Sequence, residues 1–172
     1  VQGAALAESL SGVWVHGPQA AALLERVLGV APSFNGWPEY RHGRFAFRAS
    51  PVSVVRIGQL GVPGYCVYLE RARATELASA LAGAGAVPAS DEAIAAARIE
   101  AGYPVFGIDM TEDTIPLEAG IESRAISFTK GCYVGQEVII RVLHRGHGRV
   151  AKRLVRIRID GQRPQGGAKL YA

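Results

Sequence analysis

The 172 residues are 49% hydrophobic and 20% charged, a composition that suits one domain with an appendage and excludes an intrinsically disordered chain. The net charge of +4 comes with basic residues gathered between positions 141 and 163, which favours an anionic ligand or partner. We expect no nucleic-acid binding, because Arg156 and Arg158 alternate with apolar residues as on the solvent face of a strand.

The cellular setting is indicated by what the sequence lacks. Cys66 and Cys132 allow at most one disulfide and no secretory segment opens the chain, so we expect a soluble protein in the reducing cytoplasm. No apolar run approaches the roughly 20 residues that cross a bilayer, so we expect no membrane partner. The chain opens at Val1 without methionine and stops in a basic, Gly-rich stretch, so we expect both ends to continue in a longer protein.

The first half of the chain predicts an open antiparallel sheet with helices on one face. A strand is predicted at 13–16, then a helix that Pro18 opens and Gly29 ends. Strands at 44–49, 52–57 and 65–69 follow, the first two joined around Ser50 and Pro51, then a helix at 74–82 and a short edge strand at 86–87. We interpret this as the order β, α, β, β, α, β of a ferredoxin-like split βαβ domain, class α+β, over residues 1–89.

The second half is less regular. Ser90 is the predicted N-cap of a helix that ends at Gly102. Residues 103–130 are predicted to be mostly irregular, with enough apolar side chains to argue against disorder. A further helix is predicted from near Gly135 to Leu143, and residues 150–159 are predicted to form a strand. We expect residues 90–149 to complete a binding core and residues 150–172 to begin another domain.

The stretch KGCYVGQE, residues 130–137, carries the clearest chemistry. Cys132 lies between a lysine and a predicted helix start, and both a nearby ammonium and a helix N-terminus stabilise a thiolate. The pattern therefore predicts a reactive sulfur, although most free cysteines are buried apolar residues. Cys66, which alternates with apolar residues in a predicted strand, is predicted to be such a buried residue.

The same stretch resembles a family signature. KGCYVGQE is similar to the K-G-C-[aromatic]-x-G-Q-E signature of the YgfZ family, folate-binding relatives of the glycine-cleavage T-protein. The segments ARIEAGYPVFGIDM and IPLEAGIESRAISFTKGC upstream of it, and the R-x-x-x-R-G-H pattern at 141–147, also resemble that family. Weaker resemblance reaches back to GPQA at 17–20 and to the strand segment RIGQLGVPGY.

The resemblance implies a fold and a function. It implies the glycine-cleavage T-protein fold, a core of ferredoxin-like domains that binds tetrahydrofolate or a derivative, followed by a C-terminal β-barrel that would start at 150–172. It implies a role in iron–sulfur cluster assembly or repair, with iron–sulfur client proteins as partners, Cys132 as the catalytic cysteine, and Glu100, Lys130 and Tyr133 binding the folate. Whether the protein is an enzyme stays open.

Alternatives stay open at several of these residues. Glu100 could instead form a surface ion pair, and Lys130 could pair with a folate carboxylate or with the Cys132 thiolate. His144 and His147 have a spacing that a metal site could use, but the glycines beside them should end the helix, so we expect no metal. Val62 stands where aminomethyltransferases have a glutamate, which favours the cluster role over aminomethyl transfer. A ligand-free structural fragment is the third possibility.

Overall fold

A computed structural model describes residues 5–31, 33–146, 148–162 and 164–169. It divides into two compact units, Val1–Tyr103 and Pro104–Ala172. The regular elements of the first unit are β1 (Leu10–His16), α1 (Ala20–Leu28), β2 (His42–Phe47), β3 (Ser50–Arg56), β4 (Gly64–Glu70), α2 (Ala74–Gly83) and α3 (Asp91–Ala101), with one 3-10 turn at Arg71–Arg73.

The four strands form one antiparallel sheet in the order β1-β4-β3-β2. Side chains alternate between the two faces of each strand, so Tyr65, Val67 and Leu69 of β4 point to one side. That side packs against the apolar faces of α1 and α2, and the fully buried Leu24 and Leu77 lie in the shared core. The predicted α+β class, with helices on one face of an antiparallel sheet, is confirmed.

The order of elements differs from the prediction at its end. The structure has β, α, β, β, β, α, and no strand forms at 86–87 among the residues it describes. The reason lies at the end of α2, where the Ala84 and Ala86 N–H groups donate to carbonyls of the helix. These bonds end the helix and leave Val87 87% exposed. The apolar pair that suggested a strand instead follows a helix C-cap.

The prolines predicted to start α1 and to form the β2–β3 turn lie elsewhere. Pro18 precedes α1 by two residues and lies in a turn, whereas Gly29 ends the helix in the left-handed conformation as predicted. Ser50 and Pro51 lie inside β3, not in the turn. Pro51 is tolerated there because β4 pairs only with Ser53–Arg56, so no neighbouring strand on that side requires its missing N–H.

The β2–β3 turn is formed by Arg48 and Ala49, both with positive φ, 46° and 67°. Two-residue hairpin turns of this type favour glycine or asparagine, because a β-carbon is strained in the left-handed region. We therefore expect Ala49→Gly to raise the free energy of unfolding by roughly 0.5 kcal/mol, although the more flexible unfolded chain opposes the gain. Urea denaturation measures this change. A clear loss of stability would contradict the strained geometry of the turn.

One carboxylate joins this turn to α2. Glu76, in the first turn of α2, accepts a short hydrogen bond from Arg48 and pairs with Arg73 at 2.8 Å. Arg73 also donates to the Ser50 hydroxyl at 2.7 Å. The hydrogen bond from Arg48 holds the pKa of Glu76 below its ordinary value.

A loop after α1 closes one end of the core. The Glu25 carboxylate accepts the N–H groups of Ser33 and Phe34, at 2.6 and 2.8 Å. The Phe34 ring is fully buried and meets the Trp37 ring edge-on, with centroids 5.0 Å apart. The backbone carbonyl of Phe34 accepts the Tyr65 hydroxyl at 2.8 Å. The loop is thereby fixed to both a helix and a strand.

The second unit contains short helices α4 (Pro116–Ala119) and α5 (Glu122–Ala125) and a longer α6 (Gln136–His144). The predicted irregular stretch is mostly confirmed, since only these two four-residue helices interrupt residues 104–130 that the structure describes. Glu118 accepts the Ile115 N–H at 3.3 Å, a structural role at the start of α4. The helix predicted near Gly135 is α6.

The strand predicted at 150–159 is not formed. Within the described residues 148–162 the backbone has no assigned strand, and the Leu154 N–H donates to the Glu118 carbonyl. Val155 and Ile157 are 65% and 49% exposed. A strand needs a neighbour to complete its hydrogen bonds, so an alternating sequence alone does not produce one. The β-barrel start stays a prediction.

Candidate functional site

Cys132 lies in an open turn directly before α6. The thiol is exposed, and two residues separate it from Gly135, the N-cap, whose φ of 87° is the left-handed conformation that glycine adopts easily. The predicted helix start after Cys132 is present. Cys66, in contrast, is fully buried, as predicted, and burial raises the pKa of its thiol.

Lys130 and Tyr133 are brought together on either side of Cys132. The Lys130 Nζ lies 4.9 Å from the centroid of the half-buried Tyr133 ring, a cation–π contact. The Lys130 N–H donates to the Ser127 hydroxyl at 3.3 Å, which closes the turn before it. The ammonium is therefore held against the Tyr133 ring.

Gln136, the first residue of α6, closes the turn before this helix. Its side-chain oxygen accepts the Tyr133 N–H at 3.2 Å, and its own N–H donates to the Tyr133 carbonyl at 3.3 Å. This reciprocal pair closes the turn from Tyr133 to Gln136. Ser127 was missed, although a serine three residues before a lysine in a glycine-containing loop is typical of such turns.

Glu100 belongs to the first unit, whereas Lys130, Cys132 and Tyr133 belong to the second. It lies exposed in the last turn of α3. The predicted caps of this helix are confirmed, because the Ser90 hydroxyl accepts the Ala93 N–H at 3.2 Å and Gly102 has a φ of 66°. The carboxylate is accessible to a ligand.

The chemistry of these side chains fits a folate. A pterin presents N–H donors that the exposed Glu100 carboxylate can accept in pairs, and the folate tail ends in carboxylates that suit the Lys130 ammonium. His147, one of the two histidines of the metal alternative, lies outside the described residues. Across the described ranges, no three His, Cys, Asp or Glu side chains are grouped as a metal site.

A cavity in the first unit lies elsewhere. It has a volume of about 880 Å³, runs along β1 and the C-terminal half of α2, and contains none of the predicted site residues. Trp14 and His16 of β1 line it with their rings stacked 5.8 Å apart. No local pattern in the sequence indicates this cavity, because it depends on which strand lies at the edge of the sheet.

His16 should make stability depend on pH. Burial lowers the pKa of His16 below the ordinary value of 6.5, so the unfolded chain takes up a proton before the folded chain does. Above pH 6.5, we expect His16 to add no pH dependence to the free energy of unfolding. Below pH 6.5, we expect the free energy of unfolding to fall as the pH drops. His16→Gln should remove that part of the decline between pH 6.5 and 5, measured by urea denaturation across the range. An unchanged pH dependence would contradict burial of the imidazole.

Comparison with known proteins identifies the relationship. Residues 1–130 match the GCVT N-terminal domain family. Among curated proteins, the chain is 33% identical over 148 residues to an aminomethyltransferase of Rubrobacter xylanophilus, and 29% identical over 152 residues to one of Halothermothrix orenii. It is 30% identical over 166 residues to an aminomethyltransferase of Shouchella clausii.

These matches cover most of this chain and a smaller part of its relatives. They cover 86%, 86% and 91% of the chain but only 38%, 41% and 43% of the three relatives, in the same order. None of the helices in the described part of the chain is both long and apolar enough to span a membrane. The family match over residues 1–130, together with the four-stranded antiparallel sheet and its two packed helices, shows that the chain belongs to the GCVT N-terminal domain family.

Proposed function

We propose that this chain is part of a cytoplasmic, tetrahydrofolate-binding protein that assists iron–sulfur cluster assembly or repair through Cys132. The observation that carries the proposal is the exposed Cys132 thiol before α6. Lys130, two residues earlier in the sequence, has its ammonium held against the Tyr133 ring. The KGCYVGQE sequence around it resembles the YgfZ signature. Iron–sulfur client proteins are the proposed partners.

Cys132 has the chemistry that such a role needs. An exposed thiol can exchange with disulfides or contact a client protein. The turn closed by Gln136 and the turn closed by Ser127 fix the backbone on both sides of it. In this proposal Cys132 is the reacting group, and Lys130 supplies positive charge near it or to the folate.

The folate would be held by Glu100, Lys130 and Tyr133. Glu100 would accept the N–H donors of the pterin, Lys130 would pair with a carboxylate of the tail, and the Tyr133 ring offers a flat surface for an aromatic group. When bound, a folate supplies a carrier for one-carbon units. The protein side chains bind and orient it.

The cysteine is tested in cells that lack the protein. We expect the longer protein with Cys132→Ala or Cys132→Ser to fail to restore the activity of iron–sulfur enzymes under oxidative stress. Cys66→Ala is the matched control, because it removes the buried cysteine and should keep the function at some cost in stability. Full restoration by Cys132→Ala would refute the proposal.

Folate binding is tested separately on the longer protein. Tetrahydrofolate should change its tryptophan fluorescence, and Glu100→Gln should weaken the affinity about tenfold, because a charged hydrogen-bond acceptor is lost. Glu92→Gln is the control, since Glu92 is an exposed carboxylate at the other end of the same helix. Equal affinities of the two variants would remove Glu100 from the folate site.

A second candidate is aminomethyl transfer from a carrier-bound aminomethyl group to tetrahydrofolate with release of ammonia. It is favoured by the relatives, which are named aminomethyltransferases. It is disfavoured by Val62, a 38%-exposed apolar residue where the resemblance places a glutamate. Ammonia release with glycine-cleavage partners would support this candidate over the first. No binding of tetrahydrofolate by the longer protein would leave a structural role.

A further inference from the structure

The backbone of Tyr133 is held at both of its polar groups by one residue. The Gln136 side-chain oxygen accepts the Tyr133 N–H at 3.2 Å, and the Gln136 N–H donates to the Tyr133 carbonyl at 3.3 Å. The same three-residue spacing lets a glutamine in the first turn of a helix reach back to an N–H group before it. Gly135, with a φ of 87°, lets the chain reverse between the two residues. The turn therefore depends on the Gln136 side chain.

The N–H group that Gln136 holds belongs to the peptide bond between Cys132 and Tyr133. A peptide bond is planar, so a hydrogen bond to its N–H restricts the whole plane, including the Cys132 carbonyl. Restricting this plane limits rotation about the bond between the Cys132 Cα and its carbonyl carbon. The direction of the Cys132 side chain then varies less. Gln136 thus acts on the cysteine through the peptide bond that Cys132 shares with Tyr133.

This hydrogen bond comes from a helix that is itself anchored. Gln136 is the first residue of α6, and Ile139 of the same helix is only 8% exposed. The Tyr133 ring is half-buried and contacts the Lys130 ammonium. A group that is already ordered loses little further entropy when it forms a hydrogen bond, so such a bond persists. We therefore expect the peptide bond after Cys132 to move together with α6.

The chain before Cys132 is held less closely. Ser127 accepts the Lys130 N–H at 3.3 Å, but Gly131 separates Lys130 from the cysteine. Gly131 is exposed, and a β-carbon added to it would meet no atom within 4 Å. Because glycine has more backbone freedom than other residues, it transmits little of the restraint from Ser127. Of these two restraints, the one from Gln136 acts closer to the thiol.

We propose that Gln136 is a positioning residue for Cys132, which keeps the exposed thiol in one orientation toward a partner. This role rests on the proposed function, in which Cys132 is the reacting group. A reacting group that is held in the right direction gives up less freedom when its partner arrives, and this raises the rate of reaction. Gln136 therefore contributes to the function of Cys132 through the backbone.

A nitroxide label on Cys132 of the 172-residue chain measures this restraint by electron paramagnetic resonance. Cys66 is fully buried, so a thiol-specific label attaches to Cys132. We expect Gln136→Leu, which removes the acceptor at similar size, to shorten the rotational correlation time of the label at least about twofold. Gln136→Glu keeps an acceptor oxygen and should restore the slower motion. Glu137→Gln is the control, because it breaks an ion pair with Arg141 and leaves the turn unchanged.

A second comparison separates the Gln136 restraint from a general loosening of the loop. Ser127→Ala should mobilise the label less than Gln136→Leu does, because Gly131 lies between Lys130 and the cysteine. Circular dichroism checks that each variant keeps its fold. A label that moves equally in the unchanged chain and in Gln136→Leu would overturn the proposal. An effect of Ser127→Ala as large as that of Gln136→Leu would also overturn it.

The same variants in the longer protein distinguish the positioning role from the proposed function. In cells that lack the protein, Gln136→Leu should restore the activity of iron–sulfur enzymes only in part, whereas Gln136→Glu should restore it. Full restoration by Gln136→Leu, where Cys132→Ala fails, would overturn the positioning role. Full restoration by Cys132→Ala would instead refute the proposed function, and the mobility of the label would still decide whether Gln136 holds the cysteine.

Discussion

Gly64→Ala is expected to lower the free energy of unfolding of the first unit by about 3 kcal/mol. Gly64 opens β4 and lies opposite His16. A β-carbon there would collide with the His16 Nδ1 and with the Ile57 carbonyl oxygen. The His16 imidazole could turn away only by leaving its stack with Trp14. The Ile57 carbonyl cannot move freely either, because the N–H of the same residue donates to the Gly64 carbonyl. Urea denaturation followed by circular dichroism measures the loss.

A matched glycine separates this steric effect from a general effect of alanine. Gly83 ends α2 and has no atom within 4 Å of an added β-carbon. Because alanine favours helices over glycine, Gly83→Ala should leave stability unchanged or raise it by up to about 1 kcal/mol. Equal denaturation midpoints for the Gly64 and Gly83 variants would show that the space above Gly64 is not as tight as the structure indicates.

Phe34→Ala is expected to lower the free energy of unfolding by about 4 kcal/mol, the largest effect that we expect of a single substitution in the first unit. The ring is completely buried and meets both Trp37 and Phe45 edge-on, each with centroids 5.0 Å apart. Its removal leaves a cavity beside Phe45 of β2 and Tyr65 of β4, which the sheet holds in place, so the cavity cannot collapse freely. Thermal and urea denaturation would both report the loss.

A substitution that removes less volume at position 34 is the control. Phe34→Leu keeps most of the apolar volume and should cost less than half as much as the alanine variant, about 1.5 kcal/mol. Both variants retain the Phe34 carbonyl, which accepts the Tyr65 hydroxyl, so the difference between them reports the ring alone. A loss below about 1 kcal/mol for Phe34→Ala would contradict tight packing of the loop against the core.

Local signals in the sequence predicted most of the first unit. Ser90 and Gly102 mark the ends of α3 because a hydroxyl cap and a left-handed glycine act within a few residues. The alternation of Tyr65, Val67 and Leu69 predicted β4 for the same reason. These elements are decided by interactions close in sequence, which is what a single sequence records.

The elements that the sequence predicted wrongly depend on distant partners. Residues 86–87 and 150–159 are apolar enough to be strands, but in the structure no strand lies beside either one among the described residues. The β2–β3 turn was misplaced because Ser50 and Pro51 are common turn residues, while the turn formed at Arg48 and Ala49 despite its strain. Register between β2 and β3 overrode the local preference.

The candidate site was also predicted only in part. The sequence predicted that Cys132 precedes a helix, and it does so in an exposed turn. The contact of Lys130 with the Tyr133 ring, and the closing of the turn by Gln136, depend on side-chain directions that a sequence does not record. The folate and cluster roles of these residues stay predictions that the Cys132 and Glu100 variants test.

The ion pairs of Glu76 connect the β2–β3 turn to the start of α2 through one carboxylate. A protease should therefore reach the turn mainly when the beginning of α2 comes away with it, so cleavage there reports a joint opening of two segments. Because the pKa of Glu76 is lowered in the folded chain, acid protonates this carboxylate first in the unfolded chain and weakens the connection as the pH falls below 4.5. Cleavage at the turn should therefore become faster as the pH falls below 4.5.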